Sequence, residues 1–514
     1  MRTRNSLKNI IVSLCGYGLV FVFGLAVRKL FILNLDFANL GYESLFTNIF
    51  GMLSAADLGA GSIFTYRFYT AFALGDEKEV AHLTALFRRL NWVLTGLILL
   101  LGACLIPALP MLIKGAVADW GYIRIIYLLQ LLNLSAARPF SHCTALLNAD
   151  QKNHETMRIW AGMRILTQIV KCIVIVVFKD YILYLCMAIL CNVLTGVITR
   201  ARCKKFYPKA IRSRCKWRDF QGKELLREVK GVGVSRALNA IYYATDSVLM
   251  SAMLGIQSVA LYGNYTVISK NINDMFAYLI QPIAGSVGNF VNTEEREDSF
   301  RLFEFIDLVC YLCASFALTA YGVLLQPAVS LLFGEAYLLP VEFLVFFSIS
   351  HYLYIKCLGL NSFRGTFGHY QEEWIWMGLA AGANIVLSIL GCKLFGITGI
   401  VLGTVASLVL MWAGKSILTF RHCFCRPALG YMGQQALRLL LACGEFALTY
   451  LLTQKLPITV GGVALRLAAC LVLPNALNLL IFHRTSAFSR LSAYIKKSMQ
   501  LLKKQPSQDG SNGT

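Results

Sequence analysis

Charge is what this sequence has least of. Only 15% of its 514 residues are Asp, Glu, Lys or Arg, where a soluble domain carries roughly a quarter. Acidic charge is the scarcer kind, with 27 Asp and Glu against 48 Lys and Arg. A soluble fold is thereby excluded. Alternating ten-residue segments of the outer-membrane type are also missing, which excludes a barrel. There is no GxxxxGK[ST] phosphate loop, so direct ATP hydrolysis has no seat. His-rich metal spacing is lacking, and Cys423 with Cys425 has no second pair at zinc-ligand spacing, so no metal is assigned. The segments outside the membrane are too short for a catalytic domain, and no cleavage site follows the opening MRTRNSLKN, whose apolar continuation reads as a first span. The chain is not expected to be an enzyme.

What is present is hydrophobic sequence in blocks of span length. Hydrophobic residues make up 57% of the chain, and mean hydropathy is +0.61. The blocks run roughly 20 to 28 residues, enough to cross about 30 Å of hydrocarbon as helix. About fourteen spans are read: 9–33, 41–69, 89–113, 121–147, 157–178, 181–201, 229–254, 258–290, 303–333, 338–363, 373–394, 397–420, 431–453 and 459–482. Spans two and eight are the least apolar and fail a strict hydropathy cut. Most of the sixteen cysteines, among them Cys104, Cys172, Cys191, Cys310 and Cys470, fall inside spans, where Cys acts as a small hydrophobe. The fold class expected is an all-α polytopic membrane protein.

The loops orient it. About 32 Lys and Arg lie on the side of the N-terminus against about 6 on the other, which puts both termini in the cytoplasm. The richest segment, RARCKKFYPKAIRSRCKWRDFQGKELLREVK at 200–230, holds twelve of them. The net charge of +21 is thus mostly a topology signal, and nucleic acid is set aside as a partner. That basic segment divides two similar halves. Pro107-Ala108-Leu109 recurs as Pro327-Ala328-Val329, Asp76-Glu77-Lys78 as Glu294-Glu295-Arg296, and Trp160 as Trp376, at offsets of about 216 to 220. The expected organisation is a six-helix bundle at 1–202, a basic linker at 203–228, a second six-helix bundle at 229–424, two further spans at 425–483 and a tail at 484–514. In the tail, Phe488, Leu491, Ile495, Met499 and Leu502 oppose lysines, either as an amphipathic helix on anionic lipid or as a solvated, partly disordered end.

Against this apolar background stand cations inside spans: Arg28, Lys29, Arg67, Arg124, Arg138, Arg164, Lys171, Arg236, Lys270 and Lys356. Each costs roughly 3 kcal/mol or more at mid-bilayer unless it is paired or faces water. A water-filled cavity rich in fixed cations suits an anionic solute. Arg28 shares a helix face with Tyr17, Phe21 and Gly24, while Lys29 can snorkel outward. Arg67 is close enough to the cytoplasmic end to be an interfacial anchor. Arg138 precedes Pro139, an expected kink. On span seven, Arg236, Asn239, Tyr243 and Asp246 form one polar face. On span eight, Lys270 and Asp274 either neutralise each other or line the cavity. Acids in spans are fewer: Asp57, Asp246, Asp274, Asp307, Glu342 and Glu445, with Glu304 near an end. The surplus cations are available to phosphates, for which Arg offers bidentate geometry. Substrate-binding candidates are therefore Arg28, Arg138, Arg164, Arg236, Lys270, Tyr243 and Asn239. Asp57, Asp246 and Asp274 are candidates for charge pairing or for coupling to a Na+ or H+ gradient or the membrane potential. No cofactor is expected. Asp57, set beside Gly59 and Gly61, also fits a purely structural glycine contact.

The stretch Leu40-Gly41-Tyr42-Glu43-Ser44-Leu45-Phe46-Thr47-Asn48-Ile49, then Leu53-Ser54-Ala55-Ala56-Asp57-Leu58-Gly59-Ala60-Gly61-Ser62, resembles the N-terminal signature of the polysaccharide transporter branch, the Wzx-type oligosaccharide flippases, of the multidrug/oligosaccharidyl-lipid/polysaccharide flippase superfamily. Asp150-Gln151-Lys152 resembles that family's cytoplasmic turn. The resemblance covers essentially the whole chain. It implies two six-helix bundles in pseudo-twofold repeat around a central cationic cavity lined by spans one, two, seven and eight. It also implies movement of an undecaprenyl-diphosphate-linked oligosaccharide across the bacterial cytoplasmic membrane by alternating access, for surface polysaccharide. Membrane lipids, and a glycan polymerase or glycosyltransferases, are the implied partners. Spans thirteen and fourteen resemble those of the lipid II flippase, which keeps a peptidoglycan precursor open as the substrate. A cation-coupled drug exporter would call for an acidic cavity, and a membrane glycosyltransferase or polymerase for a large extramembrane loop or an acidic site.

Overall fold

A computed structural model describes residues 18, 21–54, 60–114, 119–150, 152–213, 238–242, 244–293, 296–367, 372–490 and 492. Among them there is no strand. The principal helices are α1 (21–34), α2 (Phe37–Ser54), α3 (Ala60–Ala73), α4 (Glu77–Cys104), α5 (Trp120–Ser135), α6 (Ser141–Ala149), α7 (Asn153–Ile173), α8 (Tyr181–Phe206), α9 (244–254), α10 (Ile256–Thr293), α11 (Arg296–Phe333), α12 (Val341–Phe367), α13 (Glu373–Thr419), α14 (Leu429–Thr453) and α15 (Val460–Phe482). The chain is an all-α polytopic membrane protein. Eight helices among the described residues are long and apolar enough to cross a membrane, and α10 and the α2–α3 pair are not among them.

Local chemistry sets the ends. Asp76 caps α4 by accepting from Lys78 N at 2.9 Å and Glu79 N at 3.0 Å. Asp119, Asp180 and Thr459 do the same for α5, α8 and α15. Each satisfies first-turn N–H groups that have no partner within the helix. Arg138–Phe140 forms a tight 3-10 turn between α5 and α6, which is where Pro139 calls for a bend. The two repeated prolines behave differently: Pro107 opens a 3-10 turn at Ile106–Ala108, whereas Pro327 sits inside continuous α11.

Helix α13 is two spans. Gly396 has φ 58° and ψ −132°, a region open to glycine alone. Around it the chain folds back: Gly391 meets Gly399, Ser388 meets Gly403, and Asn384 reaches Ser407. A Cβ on either Gly391 or Gly399 would enter the other's backbone, so only glycine permits this close helix contact.

The helices group into two compact units. The first takes Leu19–Thr266 and Tyr370–Ser407. The second takes Val267–His369 and Leu408–Thr514, together with Gly18. A core of the first unit joins Phe64, Phe68, Leu86, Phe87, Cys143, Leu146 and Cys203, with Phe64 stacked on Phe87 at 4.4 Å between centroids. In the second, α11 is the central post, packed by α12, α14 and α15. Phe303, Phe363, Phe420, Phe424 and Tyr431 interlock at one end of it. Gly322 lets Phe446 of α14 lie directly on α11, since a Cβ there would strike the ring.

Candidate functional site

In the first unit, Arg28 of α1 is 9% exposed. Its Nε donates to Asn264 Oδ1 at 2.7 Å, and Nη2 lies 3.5 Å from the Ala260 carbonyl. Gly263 makes room for the guanidinium, because a Cβ there would sit 2.8 Å from Nη2 and 2.7 Å from Ser44 Oγ. Arg28 can only donate, so its contact fixes the Asn264 amide with its oxygen inward. That leaves Asn264 Nδ2 buried with no hydrogen-bond partner.

Arg28 and Lys171 share Glu43 and Tyr184 as electrostatic partners. Glu43 of α2 lies 3.5 Å from the Tyr184 hydroxyl. Lys171 of α7 sits 4.4 Å over the Tyr184 ring, a cation–π contact. Phe31 holds Tyr181 and Tyr184 edge-on at 5.4 and 5.7 Å, and Gln130 donates to Tyr181 Oη at 2.8 Å. Arg28 and Lys171 against Glu43, with Arg164 also acting on Lys171, leave the group net positive. The constellation offers two cations and an unused amide donor, which is what an anionic oxygen group needs.

A second cluster in the same unit surrounds Asp246 of α9, 7% exposed. Thr404 Oγ1 lies 2.9 Å from both carboxylate oxygens, and Asn384 Nδ2 donates to Thr404 at 3.2 Å. Tyr262 also hydrogen-bonds Asp246. Ser407 Oγ donates to the Tyr242 hydroxyl at 3.1 Å. Asn384 Oδ1 is buried without a partner. Among the described residues the partners of Asp246 are hydroxyls and an amide, and no cation pairs with it.

The remaining expected residues distribute as follows. Arg164 is exposed, 5.4 Å over the Trp160 ring, and acts electrostatically on Lys171. Arg138 is half-buried in the 3-10 turn, Arg124 exposed, and Asn239 half-buried in 238–242. In the second unit Lys270 is exposed and Asp274 half-buried, each in range of the other's charge. Asp57, Arg236 and Tyr243 lie outside the described residues, as do the linker 214–237 and the tail from 493. Of the cations singled out in sequence, Arg28 and Lys171 come together. Glu43, Tyr184 and Asn264 complete the group without having been singled out. Glu43 carries the missed signal, the one charged residue of α2, four residues after Asn39.

Lys356 belongs to another kind of site. Asp307 of α11 receives Lys356 Nζ at 2.5 Å and Tyr431 Oη at 2.9 Å on Oδ1, with Gln435 Nε2 at 2.8 Å and Arg438 Nη1 at 2.5 Å on Oδ2. Lys356 is 1% exposed and Asp307 6%. Outside the spans, Asp150 accepts from Lys152 and Tyr207, which are themselves 3.0 Å apart. Burial opposes ionisation of Asp150, but the hydrogen bonds from Lys152 and Tyr207 and the ammonium charge outweigh it and hold the carboxyl below its usual range. Burial and the bond to Asp150 push the Tyr207 hydroxyl up to about 12.

No protein-family model matches the chain, and no curated protein matches it. Solved structures do. A lipid II flippase, MurJ, in an inward closed conformation aligns with a TM-score of 0.67 at 11% identity, over 92% of this chain and 99% of its own. An inward-facing multidrug resistance MATE family transporter of the MOP superfamily aligns with a TM-score of 0.64 at 14% identity, over 77% of this chain and 93% of its own. A Vibrio cholerae MATE transporter aligns with a TM-score of 0.59 at 16% identity, over 82% and 99%. At these identities the likeness is one of fold, and the fold of this chain is the one these transporters share.

Proposed function

We propose that the chain is a flippase that carries an undecaprenyl-diphosphate-linked oligosaccharide across the bacterial cytoplasmic membrane by alternating access, for surface polysaccharide. The observation that carries the reading is Arg28, buried in a transporter fold with neutral oxygens at hydrogen-bond distance among the described residues, sharing Glu43 and Tyr184 with Lys171 and next to the unused Asn264 amide. A diphosphate supplies the acceptors these donors lack. The two halves of the repeat form the two bundles of this reading, with both termini in the cytoplasm. Asp246, held by Thr404 and Tyr262, is the coupling group, taking up a proton or a Na+ ion as the state changes.

A second reading has its own support. The lipid II flippase aligns over 92% of this chain, including more of it than either multidrug transporter does. Peptidoglycan precursor shares the lipid diphosphate and differs in its glycan, so the same cations serve it. Export of cationic drugs fits poorly with a site whose net charge is positive.

The test is translocation in proteoliposomes, scored by the access of a lectin to lipid-diphosphate oligosaccharide, with lipid II in a parallel set. Arg28→Ala lowers transport roughly tenfold or more while insertion and folding persist, and Arg28→Lys restores part of it. Wild-type translocation by Arg28→Ala sinks the cationic-site reading. Transport of lipid II and not of the oligosaccharide decides for the second reading.

A further inference from the structure

The second unit holds a buried carboxyl that nothing above uses. Glu445 of α14 is 1% exposed. Its Oε2 accepts from Ser315 Oγ of α11, and Asn478 Nδ2 of α15 reaches the same Ser315 oxygen at 3.4 Å. The donors end there. Glu445 Oε1 and Asn478 Oδ1 are both buried without a hydrogen-bond partner, as are Tyr311 Oη and Thr319 Oγ1 one turn to either side of Ser315. Among the described residues, no Lys, Arg or His forms an ion pair with Glu445.

The surroundings confirm how isolated this acid is from charge. Tyr311 is the titratable group of α11 that senses Glu445. The cation on its own helix, Arg438, lies seven residues away, about 10 Å along a helix, and is committed to Asp307. From α15 the facing group is neutral Asn478, itself 2% exposed. An ionised carboxylate at this depth, with neutral Ser315 and Asn478 as its neighbours and no counter-charge among the described residues, is strongly disfavoured. The hydrogen-bond arithmetic agrees. Ser315 has a single hydrogen, which goes to Glu445, so Asn478 must turn its amine toward Ser315 and leave its carbonyl without a donor. A hydrogen on Glu445 removes the charge and turns the orphan acceptor Oε1 into a donor, in a seam where the Asn478 carbonyl lacks one. A bare metal cation asks for about six oxygens, and three side chains do not supply them.

We propose that Glu445 is a proton-binding site, a carboxylic acid carried in the seam between α11, α14 and α15 and caged by Ser315 and Asn478. The proton is the ligand, and it is exchanged only when water enters that seam. The inference does not depend on which lipid-linked glycan is carried.

Infrared difference spectroscopy on the full chain in lipid nanodiscs tests it. The carbonyl stretch of a protonated carboxyl is expected in the wild type near neutral pH, insensitive to added Na+ and lost in Glu445→Gln. Glu445→Asp should shift that band, which keeps the test alive if the Gln variant fails to fold. A carboxyl spectrum that neither Glu445→Gln nor Glu445→Asp changes, or the absence of such a band from the wild type, overturns the proposal, a band owed to Asp246 being the one that Asp246→Asn removes. A band that disappears on titration with Na+ also overturns it, in favour of a metal-cation site.

Discussion

The two units bury positive charge in opposite ways. In the first, Arg28 has neutral oxygens at hydrogen-bond distance and a spare donor beside it, Asn264 Nδ2. In the second, Lys356 and Arg438 close directly on Asp307, whose two oxygens take four donors between them. A carboxylate has about four acceptor positions, so the second cluster has its acceptors filled from within, whereas the first retains donors for something else. The difference teaches how to sort charges in a membrane. A cation met by a saturated carboxylate is structural, and a cation met by amides is available. Burial alone does not distinguish them, for Arg28 and Lys356 are both buried.

Removing the acid breaks the comparison most sharply. Asp307→Ala leaves Lys356 and Arg438 buried without a counter-charge, and is expected to cost about 3–5 kcal/mol in unfolding followed in detergent. An unchanged unfolding midpoint would mean the cluster is not a structural lock. Next comes the packing that holds α14 to the same helix. Gly322→Leu drives a side chain into Phe446 and is expected to destabilise by about 1–3 kcal/mol, read from the same curves.

The first unit responds in function instead. Arg28→Ala removes a buried charge without orphaning another, so its unfolding curve stays near wild type while translocation falls roughly tenfold or more, equivalent to about 1.4 kcal/mol. Gly263→Ala sharpens this: the added methyl displaces the guanidinium and Ser44, giving a smaller loss of translocation with the fold intact. Equal losses of stability in Arg28→Ala and Asp307→Ala would erase the distinction drawn here.

The smallest effect lies outside the spans. The Asp150 carboxyl is held below its usual range, so its contribution is present above the ordinary carboxylate pKa and is lost as pH falls through the lowered one. Partial exposure limits it to under about 1 kcal/mol. Asp150→Asn should remove that acid-side slope by lowering the neutral-pH stability by the same amount, under about 1 kcal/mol, while the value at low pH stays nearly unchanged.

Much of the fold was legible. Hydropathy blocks separate 373–394 from 397–420, and Gly396 is where the helix breaks. The Pro139 bend is present, and the weak hydropathy of spans two and eight recurs in the helices that miss the length-and-composition threshold. The site was legible in part, because composition counts charges without saying which ones meet. Asp307 and Lys356 were both visible as intramembrane charges, yet 49 residues separate them and no local periodicity connects them. Arg438 and Lys415, buried or half-buried in their helices, drew no attention because their neighbours are apolar. Asn264 is a neutral residue whose importance comes only from what docks on it. Glu43 sat inside the quoted signature and was read as a pattern instead of as a charge.

The Asp307 cluster also constrains how the chain is made. Its members leave the ribosome in the order Asp307, Lys356, Tyr431, Gln435, Arg438. Once α12 has been inserted, Asp307 and Lys356 can neutralise each other, and the partly built protein carries no unmatched charge at this point. Arg438 must then enter the membrane as part of a helix whose only acidic partner is already in place and waiting. The last hairpin is thereby delivered to one address on α11, and a chain that stopped short of it would leave Asp307 Oδ2 without Gln435 and Arg438.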